Sequence, residues 1–190
     1  MARVIRPSKP GKQNDNIIWI TEDVSTVEGF QDLFYRLHEL QKEDKVPWIL
    51  LNISCVGTEN AYYANAALTL LQSATKPIKT QIITEAQSFG LIYACLGEER
   101  KAWPHAFFMH HSYQLVMEAS LEEAKKIVTK WEKEEKIALE FMKSQMGPSG
   151  YSAFITDFKK NSSQDMNFNS QKAVAYGIVQ EIGIIEPFFY

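Results

Sequence analysis

Three residues far apart in the chain, Ser88, His111 and Asp165, are of the types that together turn a hydroxyl into a nucleophile. A serine hydroxyl attacks poorly until a base takes its proton. Histidine is the usual base because its pKa lies near neutral pH, and a carboxylate can orient the imidazole. Singly, each has a plainer reading. Ser88 follows an expected strand and opens a short helix, where amides and a positive dipole favour negative charge, but serine is also a common helix cap. His110 and His111 end a strand that begins at Ala106. Neighbouring strand residues face opposite sides, so one of the pair can look into a given cleft. Asp165 lies just before the last expected helix, where aspartate commonly forms turns and caps. The glycine-serine-glycine elbow of α/β-hydrolases is not matched, because Ala86 stands where the first glycine belongs and only Gly90 remains. His105, His110 and His111 have no common zinc-ligand spacing and no nearby cysteine or acid to complete a site. No metal and no cofactor are expected.

The elements that must position these residues alternate between strand and helix. Ile17 to Ile20 and Trp48 to Ile53 are continuous apolar runs, the second of the kind found where both sheet faces are covered. Ser25-Thr26-Val27-Glu28 has capping-box spacing, ahead of a helix whose stripe is Phe30, Leu33, Phe34, Leu37 and Leu40. A helix is expected over Ala61 to Ala74, stopped by Lys76-Pro77. A strand over Ile78 to Thr84 and a helix from Ser88 to Leu96 follow, with Ala106 to His110 as the fourth strand. Ser120-Leu121-Glu122-Glu123 is a second capping box, opening the longest helix, which is expected to run to Gly147-Pro148. Ser170 to Tyr176 closes as a short helix with Gly177 as its stop, before a strand near Ile178 to Ile184. This order argues an α/β class with largely parallel pairing.

The chain has 190 residues, 45% hydrophobic and 23% charged, which suits one domain with a sizeable core. A formal net charge of -3 gives no attraction to nucleic acid or to anionic membranes. Cys55 and Cys95 are too few for a disulfide framework and sit in apolar stretches, so buried free thiols are expected. Residues 1–15 are polar, with Pro7, Pro10 and Gly11, and resemble neither a signal peptide nor a membrane anchor. They are expected to form a short mobile arm before a single domain over residues 16–190, with a cytoplasmic location.

Three blocks carry a family resemblance. Asp165 to Val179 resembles the C-terminal signature of Clp protease proteolytic subunits, in which an acidic residue precedes a helix and an EA-x-x-YGL-like segment. Trp103-Pro104 to His111 resembles that family's LP…MIHQP block, and Thr84 to Gly90 its GQAASMG block. The blocks follow the family's order and extend from about Asn16 to Ile182. The resemblance implies a ClpP/crotonase-like superhelix of β-β-α units with a projecting long helix, the handle. It further implies a serine endopeptidase with Ser88 as nucleophile, His111 as base and Asp165 as orienting carboxylate. Rings of seven subunits, single or stacked, would enclose the chamber where peptides are cut, and an ATP-driven AAA+ unfoldase would be a potential partner.

The sequence departs from that pattern in places that matter. The family's INSPGG block supplies one oxyanion amide, whereas here Leu51 to Glu59 reads differently. Ungapped counting from Ser88 puts Thr58-Glu59 on the glycine pair, with Gly57 one place early. The expected donors are therefore the amide of Phe89 and one at Gly57 or Thr58. Ser112-Tyr113 replace the family's Gln-Pro, and the short segment before the first strand leaves unfoldase docking open. Two alternatives stand beside the peptidase: a weakly active or inactive subunit of a mixed ring with a paralogue, and a crotonase-type acyl-CoA protein.

Overall fold

Apolar continuity decides the centre of the sheet. In the computed structural model, which describes residues 15–57, 60–112, 120–161 and 165–187, β2 (Ile49–Cys55) is buried along its length except at Ser54. A strand of this kind is stable only with cover on both faces. β1 (Ile17–Ile20) pairs with β2, and β2 with β3 (Ile78–Gln87). β3 pairs in turn with β4 (Glu99–Ala102), and β4 with β7 (Glu181–Ile182), every pairing so far being parallel. The expected N-terminal arm lies, but for Asp15, outside the described residues, as do Thr58 and Tyr113.

β3 is long enough to serve two neighbours. Lys79 to Ile82 pair with β4, while Glu85 to Gln87 pair in parallel with β5 (Phe107–His110). β6 (Met166–Asn169) runs antiparallel to β5. The sheet therefore splays at the carboxyl end of β3, and the candidate residues gather there. Helices α1 (Val27–Lys42), α2 (Ala61–Gln72), α3 (Phe89–Ala94), α4 (Leu121–Lys160) and α5 (Ser170–Ala175) complete a mixed α/β fold dominated by parallel strands. Among the described residues no helix is long and apolar enough to cross a membrane.

Several local expectations are corrected. Ser25 does not cap α1: it belongs to a 3-10 turn and its hydroxyl donates to the Glu22 carbonyl at 2.8 Å. Thr26 is the cap, accepting from the Gly29 amide at 3.0 Å. Phe34 leaves the apolar stripe and is 45% exposed. β4 was not foreseen because Glu-Arg-Lys is a polar run. Lys79 and Lys101 pair with Glu99 on its outer face, and the buried Arg100 donates to the carbonyls of Gly97, Gln145, Gly177 and Ile178. β6 was likewise unforeseen, while the last expected strand shrinks to two residues.

The first run of the handle, α4, ends at Gly147-Pro148 as expected, and an unexpected second run follows it. Gly147 leaves helical geometry with φ 74°, and a second helical run continues to Lys160. Pro148 opens that run, where its missing N–H costs nothing. The expected capping box does form: the Ser120 hydroxyl accepts from the Glu123 amide at 3.3 Å, and the Glu123 carboxylate accepts from the Ser120 amide at 3.0 Å. No residue from Leu121 to Ile137 is buried, so the first half of the handle projects. The second half returns to the core, where Phe154 meets Phe168 and Tyr176 edge-on.

Candidate active site

Ser88 links the end of β3 to α3 and is held in an unusual backbone conformation. Its φ of 52° makes it the sole non-glycine residue with positive φ among the described residues. For an L-residue this costs about 1–3 kcal/mol. Its amide donates to the Met109 carbonyl of β5 at 3.0 Å, which ties the turn to the neighbouring strand. Although Ser88 occupies the cap position of α3, its side chain makes no capping hydrogen bond. The hydroxyl is thus not spent on the helix, unlike that of an ordinary serine cap.

The two histidines separate as strand alternation requires. His110 turns inward, 8% exposed, against Phe154 and Phe158 with ring centroids 5.0 and 4.5 Å away. Burial lowers its pKa to about 4, with a smaller push from His111, and its Nε2 has no hydrogen-bond partner. His111, one residue on, is half-buried. Its Nδ1 donates to the Ser112 carbonyl at 2.6 Å. A carbonyl can only accept, so Nδ1 carries a proton, and in the neutral ring Nε2 then has the lone pair a base needs.

Register relates the three candidates. β3 and β5 pair Gln87 with Met109, so Ser88 is level with His110 one step further. β5 and β6 pair His110 with Met166, so His111 is level with Asp165 one step further. Ser88, His111 and Asp165 therefore lie at the same end of three adjacent strands. No hydrogen bond joins their side chains; the exposed Asp165 does not reach the His111 ring, whose Nδ1 is engaged by Ser112.

Gly57 closes the site from the β2 side. Its φ is 121°, and a Cβ built on it would lie 3.5 Å from the Ser88 Cβ. Such a φ is open to glycine and strained for other residues. Thr58, which counting places on the first glycine of the family's pair, lies outside the described residues. A bulge sets the level of Gly57 relative to Ser88. Partners on β2 and β3 are 29 residues apart at Ile53 and Ile82 but 31 apart at Cys55 and Ala86. Continuing that offset sets Ser88 level with Gly57. Sequence spacing carries no signal for such a bulge. Below the loop, the buried Cys55 thiol donates to the Gly57 carbonyl at 3.4 Å. Gly90 of α3 lies directly on Cys55, a contact that sequence reasoning also missed. As expected, both cysteines are buried free thiols.

This arrangement of strand-end serine, following short helix and facing glycine can be set against known proteins. The family model for Clp protease matches residues 12–186. The chain belongs to the Clp protease family. Membership accounts for the α/β fold with its long helix and suggests a serine peptidase. None of the curated proteins matches the sequence. Among the described residues no group of three or more His, Cys, Asp or Glu could hold a metal ion.

Proposed function

We propose that the chain is a serine endopeptidase that cuts peptides through an acyl-enzyme. The observation that carries this reading is Ser88 itself: a strained residue at a strand end, its hydroxyl uncommitted to the helix, facing Gly57 and level with the histidine pair. In this reading His111 Nε2 takes the hydroxyl proton as Ser88 Oγ attacks the scissile carbonyl. It then passes that proton to the leaving amine, and water releases the acyl group by the same path reversed. The amides of Phe89 and of Gly57 or its successor would hold the oxyanion, each donor supporting on the order of 10²–10³ in turnover. The Ser112 carbonyl would hold the tautomer this step needs, and Asp165 would take over that role by approaching from the adjacent strand. Family membership supports assembly into rings, within which a cytoplasmic chamber would admit unfolded chains or peptides.

One observation favours a second reading, a weakly active subunit in a mixed ring. The serine, imidazole and carboxylate are not hydrogen-bonded to one another, and Nδ1 is satisfied without Asp165. The test is hydrolysis of fluorogenic peptides by wild type and Ser88→Ala, together with fluorophosphonate labelling. Hydrolysis and labelling that vanish in Ser88→Ala support the peptidase. A wild type that neither turns over nor labels would exclude it.

A further inference from the structure

We propose that the Cys55–Gly90 contact is a positioning device that sets the spacing between the two oxyanion-binding segments, the chain at Gly57 and the first turn of α3. The inference rests on the peptidase reading above. Cys55 is the last residue of β2, beyond the bulge, and is fully buried. It touches both segments. Its thiol donates to the Gly57 carbonyl at 3.4 Å, which restrains the peptide unit that follows the positive-φ glycine. On its other side α3 comes so close that a Cβ on Gly90 would lie 2.9 Å from the Cys55 carbonyl oxygen and 3.0 Å from its Cβ. No side chain fits there, so the backbone of α3 rests on that of β2. Gly90 follows Phe89, whose amide is one proposed donor, and the amide of Gly57 or its successor is the other.

Two oxyanion donors act together only if their separation matches the developing oxygen, and errors near 1 Å cost turnover heavily. Cys55 is fully buried, its backbone meets α3 at Gly90 and its thiol meets Gly57, a short set of contacts that suits that demand. The thiol is the adjustable member. Burial pushes its pKa up to about 11, so it keeps the proton it donates at neutral pH. S–H is a weak donor, and serine would supply a stronger one at the same atom. Cys55 touches neither substrate nor reacting atoms in this scheme and acts through Gly57.

The experiment compares wild type with Cys55→Ala, Cys55→Ser and Cys55→Val in fluorogenic peptide hydrolysis, in binding of a peptide aldehyde, and in thermal midpoint. Cys55→Ala is expected to lower kcat by roughly tenfold, less than deleting an oxyanion donor outright, with KM within about twofold. Aldehyde binding should weaken in parallel, because its hemiacetal oxygen uses the same hole. Cys55→Ser should restore most of both, a rescue that simple loss of packing would not give. Cys55→Val fills the space without a donor and keeps the comparison if Cys55→Ala does not fold. Undiminished kcat in the donor-free variants, or loss that serine does not rescue, overturns the positioning role alone. A wild type as inert as Ser88→Ala overturns the peptidase reading and this inference together.

Discussion

His110 and His111 differ by one residue and by one face of a strand, and that difference sets their chemistry. His110 is buried among phenylalanine rings with Nε2 unpartnered, so its charged form is strongly disfavoured. Its folded pKa of about 4 lies below the unfolded value of 6.5. A depressed histidine pKa means the unfolded chain binds the proton more tightly. Its contribution is therefore present above pH 6.5 and lost as pH falls from there to about 4. That loss amounts to about 3 kcal/mol at its limit. Urea unfolding of wild type and His110→Phe between pH 7.5 and 4 should show this as a difference between the two curves, the variant falling less steeply. Parallel curves would contradict the account. At this scale the sequence was partly legible. Alternation alone said that one histidine of the pair faces a cleft. What it could not supply was the bulge beside Ile53, which makes Gly57 the residue level with Ser88.

At the scale of elements, the handle depends on close backbone contacts at its bend. The Gln145 carbonyl accepts from Arg100 at 3.0 Å. A Cβ on Gly150 would lie 2.2 Å from the Tyr176 carbonyl oxygen, nearer than real atoms approach. Alanine is the better helix former by about 1 kcal/mol, so propensity alone favours Gly150→Ala. Forcing an extra carbon against fixed backbone costs about 1–3 kcal/mol, and the overlap here puts it at the upper end. Gly150→Ala should thus lower the denaturant midpoint despite the gain in propensity; an unchanged or raised midpoint would mean that the second half of the handle is not clamped. The same bend shows why the helical run after Gly147 was not legible in the sequence. Gly147-Pro148 is a strong stop in isolation, but Tyr151, Phe154, Ile155 and Phe158 restart an apolar face that the core draws in. β4 was missed for the opposite reason: its outer face is satisfied by ion pairs and Arg100 by carbonyls, so a strand with buried sides carries no apolar run. β6 is too short to alternate convincingly before α5.

For the whole molecule, the question is what steadies the first half of the handle. From Leu121 to Ile137 it has no buried residue of its own domain to lean on. Its capping box contributes about 1 kcal/mol. The Glu122–Lys126 and Lys130–Glu134 pairs, at 2.9 and 3.7 Å, contribute a few tenths of a kcal/mol each. Helical segments of this length are marginal in water without tertiary packing. Yet Leu121 is 74% exposed and Val128, two turns along the same face, 43% exposed. A second copy of the helix, as in stacked rings, would cover that stripe, and burying each such side chain is worth about 1.5–3 kcal/mol. In a ring, rotational symmetry would repeat the gain at every subunit, and a modest local contact would become a large one for the particle. The double variant Leu121→Glu/Val128→Glu should accordingly leave the single-domain fold intact by circular dichroism while native mass spectrometry shows half the wild-type particle mass. If the wild type is itself monomeric, or the variant keeps the full mass, the handle face is not what joins the rings.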